Sequence, residues 1–207
     1  MKKISESAVR RLSLYLRLLQ EADAAGAETI SSGELADRGG TTSAQVRKDL
    51  SLFGSFGKRG LGYSVQELLS RIRSILGLQQ SWRVALVGAG KLGSALFSYR
   101  DFETRGFNIR AVFDSDPRKV GTQWGGLNIR ADEEIDAIVR AEAIDMAIVA
   151  VPADAAQQVV DRLVKAGVRG ILNFAPAPLT VPSHVALKHV NMALELEGLS
   201  YALSNRD

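Results

Sequence analysis

Three glycines, Gly88, Gly90 and Gly93, follow the apolar run 82–87 (WRVALV) at the spacing G-x-G-x-x-G, and Asp114 lies 21 residues after the last of them. Each glycine has a task that a side chain would obstruct: a tight turn, close approach of backbone to a pyrophosphate, and close packing of a helix on a strand. The helix that follows would aim its N–H groups and the positive end of its dipole at the phosphates. An acid at the end of the next strand, 107–113, would accept hydrogen bonds from the adenine ribose hydroxyls. It would also repel a 2′-phosphate, which favours NAD over NADP. The glycine motif is specific only in this setting, between strand and helix and with the acid at the next strand end. The residues expected to touch a dinucleotide are Gly88, Ala89, Gly90, Lys91, Leu92, Gly93 and Asp114. Loops after later strands add Val151, Pro152, Asn173 and Phe174. Arg118 and Lys119, close to Asp114, either soften the preference for an unphosphorylated ribose or are simply solvated. Asn173 is suited to the carboxamide of nicotinamide or, equally, to capping its own loop.

A second set of residues suits nucleic acid. The stretch 41–53 (TTSAQVRKDLSLF) carries Thr42, Ser43 and Gln45 at the start of a helix, then Arg47 and Lys48. Glutamine can pair with adenine through two hydrogen bonds, and the basic side chains can reach bases or phosphates. Val46 and Leu50, four apart, would face a helical core. The following stretch holds Gly54, Gly57, Gly60 and Gly62, which permit a tight hairpin with Lys58 and Arg59 at its tip. A basic tip of this kind fits the minor groove of DNA. The other reading is a flexible glycine loop beside a small helical bundle.

The elements that must position these groups follow from spacing. Apolar residues at Val9, Leu12, Leu16 and Leu19 predict a helix over 6–24, ended at Gly26. Ser31 or Ser32 can cap a helix over 33–38, Gly39-Gly40 forms a turn, and Thr41 or Thr42 caps the third helix. A fourth helix over 65–76 links to the second half. The remainder alternates strand and helix. The strands are 82–87, 107–113, 144–151, 169–174 and 185–193. The helices are one carrying Leu92, Ala95, Leu96 and Tyr99 on one face, then 131–141, 154–166 and 194–203. The expected fold class is α/β: an N-terminal winged helix-turn-helix domain over 1–80, then a doubly wound parallel sheet of Rossmann type over 81–190, with a terminal segment over 191–207.

Bulk properties agree. The chain of 207 residues carries a net charge of +3. Its first 80 residues hold 12 Lys/Arg against 8 Asp/Glu, so the excess positive charge lies in the half proposed to meet DNA. There is no cysteine, hence no disulfide or thiolate chemistry. No long apolar run and no apolar leader are evident, so a cytoplasmic protein without a membrane span is expected. No Ser/His/Asp set or metal-ligand cluster is found, and neither histidine, His184 or His189, sits where a hydride-transfer acid/base would. No catalytic residue and no metal are expected.

Nearly the whole chain resembles the Rex family of redox-sensing transcriptional repressors. The stretches that carry the resemblance are RRLSLYLRLL, QVRKDLSLFGSFGKRGLGY, VGAGKLGSAL, FDSDPRKVG, AVPADAAQ and ILNFAPAPL. The resemblance implies a homodimer on palindromic operator DNA, bound when NADH is low and released when NADH binds. It also implies a C-terminal helix exchanged between subunits. Within it Arg17 matches an arginine linking the two domains and Tyr99 a tyrosine near the nicotinamide. Asn191 stands where the family usually has an aspartate that pairs with the arginine. The alternatives are a small NAD-dependent oxidoreductase with a basic oligomerisation module, or a DNA-binding protein whose Rossmann unit does not respond to ligand.

Overall fold

Ser5 starts the first helix by accepting the Ala8 amide N–H, and α1 runs Glu6–Ala24. Its buried stripe is Ala8, Leu12, Tyr15, Leu19 and Ala22 together with Leu16 and Leu18. Val9, expected on that stripe, is 39% exposed. Tyr15 is fully buried instead and moves the centre of the face by one residue. The computed structural model describes residues 4–54 and 62–205. The chain divides into two compact units, Met1–Gln80 and Ser81–Asp207.

In the first unit β1 (Thr29–Ile30) is followed by α2 (Ser32–Gly39) and α3 (Ser43–Ser51). Then come β2 (Tyr63–Ser64) and α4 (Val65–Ile75). Ser31 and Glu34 close a capping box on α2: Ser31 Oγ accepts the Glu34 N–H at 3.1 Å, and Glu34 accepts the Ser31 N–H at 2.7 Å. Replacing Ser31 by alanine removes the first bond. Its expected cost is about 1 kcal/mol, measured as a lower melting temperature of this unit. Thr42 caps α3, which stops at Ser51, two residues short of the expected end, as Phe53 N–H turns back to Leu50 C=O. Val46 and Leu50 are buried, as expected, against Leu12, Leu35, Leu68 and Ile72. β2 returns antiparallel on β1 with Ile30 opposite Tyr63. The expected hairpin tip, with Lys58 and Arg59, lies outside the described residues.

The second unit opens with β3 (Trp82–Val87), α5 (Lys91–Phe97), α6 (Asp101–Thr104) and β4 (Phe107–Asp114). It continues through β5 (Gln123–Trp124), β6 (Leu127–Ala131), α7 (Ile135–Ala141), β7 (Met146–Val149) and α8 (Ala153–Ala166). β8 (Gly170–Asn173), β9 (Ala186–His189) and α9 (Met192–Ser204) complete it. The described strands form a seven-stranded sheet in the order β5-β6-β4-β3-β7-β8-β9, parallel except where β5 pairs antiparallel with β6. Helices α7 and α8 cover one face, with Val139, Val160 and Leu163 packed over Val87, Phe113 and Val149. Leu96, Phe97 and Phe102 pack on the other, against Leu86, Val112 and Ile129.

Three expectations change. Ala131 ends a strand rather than starting a helix, and β5 and β6 were not anticipated. The face expected to join Leu92, Ala95, Leu96 and Tyr99 does not form. α5 ends at Phe97, the side chains that reach the sheet are Leu96 and Phe97, and Tyr99 is 54% exposed beyond the helix. The terminal helix begins earlier, at Met192, and none of its residues is buried in the chain.

Candidate functional site

The strand order reverses at β3, with β4 on one side and β7 on the other. Such a switch point opens a crevice beyond the carboxyl ends of the strands, and ligands of doubly wound folds bind there. A cavity of about 730 Å³ lies in that place. Gly88, Gly90, Lys91, Leu92, Asp114, Val151, Pro152 and Phe174 all line it, which unites most of the residues selected from sequence.

The glycines divide by task. Gly88 has φ +104°, and a Cβ there would stand 2.4 Å from the Ala150 carbonyl oxygen. A Cβ on Gly93 would stand 1.9 Å from the Gly88 carbonyl oxygen, so α5 meets the end of β3 backbone to backbone. A Cβ on Gly90 would meet nothing within 4 Å. Gly90 therefore borders open space, and the chain itself does not demand a glycine there; a ligand approaching the backbone would.

Asp114 is 8% exposed at the end of β4. Its Oδ2 accepts the Ala89 N–H at 2.7 Å and the Lys119 ammonium at 2.9 Å, and its Oδ1 accepts the Asp116 N–H at 2.8 Å. The Asp114 carboxylate thus ties the glycine loop to the strand end. Lys119 is its ion-pair partner, and Arg118 turns away to Asp116. Sequence reasoning missed the far wall, where Asp132 and Arg162 meet: Arg162 Nη1 donates to the Asp132 carbonyl at 3.3 Å. Burial raises the Asp132 carboxyl above the usual carboxylate range, and neighbouring Glu133 adds to the effect.

Four expected cofactor contacts lie off the cavity wall. Ala89 and Gly93 are buried behind it and act on the shape of the loop. Asn173 is completely buried. Its Nδ2 donates to the Ala175 and Ala177 carbonyls and to His189 Nδ1, and its Oδ1 accepts the Ala175 N–H. With these bonds Asn173 organises the 174–177 loop, one of the two roles expected of it. Tyr99 packs edge-on against Phe102, with ring centres 5.1 Å apart, and lines a separate apolar hollow of about 400 Å³.

In the first unit the described candidate DNA-reading residues Thr42, Ser43, Gln45, Arg47 and Lys48 lie on α3 or at its cap. Thr42 accepts the Gln45 N–H at 3.2 Å as the helix cap, with its hydroxyl hydrogen still available. Arg47 donates to Ser32 Oγ at 3.0 Å, and Lys48 is exposed. The residue not foreseen is Asp49, which is 1% exposed. Arg11 grips its carboxylate through two bonds of 2.6 and 2.8 Å, Tyr15 donates at 3.0 Å, and Gln45 Nε2 at 2.8 Å. Burial alone would raise the Asp49 carboxyl; the hydrogen bonds from Arg11, Gln45 and Tyr15 outweigh it and hold the group below its ordinary range. An acid in a basic helix would draw notice in sequence, but its partners on α1 are 34 and 38 residues away.

Two family models match the chain: "Putative DNA-binding protein N-terminus" over residues 3–51 and "CoA binding domain" over 79–177. The redox-sensing transcriptional repressor Rex of Desulfitobacterium hafniense is 46% identical over 204 residues, covering 99% of this chain and 97% of the relative. Rex of Roseiflexus sp. is 47% identical over 204 residues, covering 99% and 93%. The chain belongs to the Rex family of redox-sensing transcriptional repressors. A solved Rex-family repressor, RSP, in complex with β-NAD+ and operator DNA has a TM-score of 0.93 at 38% identity, covering 98% of this chain and 94% of that one. RSP in complex with β-NADH has a TM-score of 0.89 at 37% identity, covering 98% and 95%.

The residues that the Rex resemblance marks for a switch are placed as follows. Arg17 is exposed on α1 and pairs with Glu21 at 3.9 Å, a carboxylate it shares with Arg38. Asn191 caps α9 by accepting the Ala193 N–H at 3.0 Å. Tyr99 is the exposed residue already described. Among the described residues no helix is long and apolar enough to cross a membrane, and no group of three or more His, Cys, Asp or Glu is placed to hold a metal.

Proposed function

We propose that this protein is a cytoplasmic transcriptional repressor that senses the NADH/NAD+ ratio, binding palindromic operator DNA when NADH is low and releasing it when NADH binds. The observation that carries the reading is the pairing, on one Rex-family chain, of a glycine-floored cleft bounded by Asp114 with an exposed recognition helix. The cleft residues fit a dinucleotide. Gly90 leaves backbone open to a pyrophosphate, Asp114 faces the ribose hydroxyls, and Phe174 and Pro152 supply apolar walls. The match to a CoA-binding model fits the same cleft, since coenzyme A and NAD share an adenosine diphosphate half.

The working unit we propose is a homodimer. The side chains of Met192, Leu194, Leu196, Leu199, Tyr201 and Leu203 are 60–73% exposed on α9, a cost in water that burial against a second subunit would remove. In this reading α9 exchanges between subunits and forms the third segment, 191–207. NADH favours a closed pairing of the two cofactor domains, which takes the two α3 helices off the spacing of successive major grooves. Differential binding of a few kcal/mol is enough to move most of the population. Arg17, Tyr99 and Asn191 are the residues through which the units would communicate. Asn191 lacks the charge of the family aspartate, and charge-assisted bonds are roughly twice as strong as neutral ones, so this switch is set weaker. No catalytic residue is assigned; His189 is engaged by Asn173 in the loop network.

Operator binding titrated with NADH and with NAD+ at fixed salt tests the reading. NADH should release the DNA and NAD+ should not; equal affinity with both would remove the sensor. Quenching of Trp82 or Trp124 fluorescence by NADH separates a responsive cleft from a vestigial one. Cofactor choice gives a further expectation. Asp114→Asn keeps an acceptor for the Ala89 N–H, removes the charge that repels a 2′-phosphate, and frees Lys119 to pair with it. The preference for NADH over NADPH should fall by about tenfold or more in calorimetric titrations, the scale of one charge-assisted contact.

A further inference from the structure

The chain from β8 to β9 carries Pro176, Pro178 and Pro182 and forms neither helix nor strand. Two side-chain amides hold it. Asn173 fixes its start, as described above. Gln157, half-buried on α8, pairs with both backbone groups of Thr180: its Oε1 accepts the Thr180 N–H at 2.9 Å, and its Nε2 donates to the Thr180 carbonyl at 3.0 Å. Nε2 also donates to Asp161 Oδ1 at 2.7 Å. A carboxylate only accepts hydrogen bonds, so Asp161 fixes which way the amide faces. On either side of Thr180, Leu179 and Val181 pack against the core. Helix α8 therefore serves two neighbours. Ala155, Gln158 and Arg162 line the cleft, while Gln157 grips the proline strap whose first residues, Phe174 and Pro176, form another wall of that cleft.

The order of the strands sets the direction of a bound dinucleotide. Asp114 ends β4, the glycine loop follows β3, Val151-Pro152 follows β7 and Phe174 follows β8, and these four strands are neighbours in that order. With its adenosine ribose at Asp114 and its pyrophosphate at the glycine loop, the ligand directs its nicotinamide toward Phe174 and Pro176. A hollow of about 720 Å³ adjoins the cleft there and shares Leu92, Phe174 and Pro176 with it. Among the described residues that line this hollow there is no carboxylate. The oxidised ring is a cation and the reduced ring is neutral. Moving a cation out of water without a counter-ion is costly, and a neutral ring avoids that cost.

We propose that Gln157 is a positioning residue for the discrimination between NADH and NAD+. By tying the strap to α8 it holds the wall of Phe174 and Pro176 over the nicotinamide end and keeps water from the ring. The proposal rests on the NAD(H) reading of the cleft above. With the tie broken the wall opens, the cationic ring regains solvation and the neutral ring loses apolar contact. Both effects narrow the preference for NADH. The adenosine half, bounded by Asp114 and Lys119 on the other side of the glycine loop, does not depend on the strap.

The experiment is calorimetric titration of the full-length wild type, Gln157→Ala and Gln157→Glu with NADH, NAD+ and ADP-ribose, the last lacking the nicotinamide. Gln157→Glu keeps the size of the side chain, but its carboxylate cannot donate to the Thr180 carbonyl and is repelled by Asp161. Thermal melts confirm that each variant is folded, and hydrogen exchange at the Thr180 amide reports whether the tie is broken. The ratio of NADH to NAD+ affinity should fall at least about fivefold in both variants, the scale of one or two net hydrogen bonds. ADP-ribose affinity should stay within about twofold. A ratio that holds while the Thr180 amide exchanges freely overturns the proposal. So does an equal loss for ADP-ribose, which would make the tie a support of the whole cleft, and so does a Thr180 amide already unprotected in wild type. A wild type that binds none of the three ligands sinks the NAD(H) reading itself.

Discussion

Replacing Gly93 with alanine is expected to weaken NADH binding by at least about 100-fold and to leave the operator complex insensitive to NADH. The cause is steric and local. The added Cβ would sit 1.9 Å from the Gly88 carbonyl oxygen and 3.0 Å from its carbon, where real Cβ contacts essentially never fall below 3.0 Å. Both clashing atoms are backbone, so no side chain can swing aside. α5 must therefore lift from β3, and Gly90 and Lys91 leave the cleft wall with it. A 100-fold loss corresponds to about 2.7 kcal/mol, within the range for overpacking a close backbone contact. Gly90→Ala is the control. Its Cβ meets nothing within 4 Å, so stability should hold while cofactor affinity falls. Calorimetric titration with NADH beside a thermal melt reads both variants. Gly93→Ala binding NADH within about threefold of wild type would show that the glycine contact does not shape the cleft.

That contrast also shows what could be read before any coordinates. Gly88, Gly93 and Asp114 were legible because their roles depend on local spacing: a turn, a helix contact and a strand end, all within one strand-helix-strand unit. The caps Ser31 and Thr42 were legible for the same reason. The pair β5–β6 was overlooked although a local signal exists. Trp124-Gly125-Gly126-Leu127 is a two-residue glycine hairpin, with Trp124 opposite Leu127 and positive φ at both glycines. Asn173 was placed at the correct strand end with two roles open, and the structure shows the loop-capping one. Its direction is set by His189 on β9, 16 residues away, and sequence spacing does not report cross-strand geometry. Tyr99 failed because helical periodicity was extended past the point where α5 ends, at Phe97. Asp49 was passed over because its meaning lies on α1. A carboxylate among basic residues reads as solvated until the fold brings Arg11 and Tyr15 onto it.

Arg11→Ala should lower the stability of the first unit by about 2–3 kcal/mol and shift its acid limb. Breaking a buried ion pair costs about 3–5 kcal/mol, because the remaining charge is left uncompensated. The lower figure applies because the Arg11 side chain is 28% exposed and because Tyr15 and Gln45 still serve the carboxylate. The pH dependence carries the sharper signature. Asp49 titrates lower in the fold than its ordinary 3.8, so its contribution is present above about pH 4 and is lost as pH falls through the folded value. Burial, then the hydrogen bond to Asp49, pushes the Tyr15 phenol up from 10.0 to about 12. Its contribution is therefore present below pH 10 and lost as pH rises from there through about 12. Wild type should show a stability plateau between these limits in urea titrations at stepped pH. In Arg11→Ala the strongest bond holding the Asp49 proton off is gone, so the acid limb should begin at higher pH. An acid limb unchanged in position would mean that Arg11 does not set the Asp49 charge.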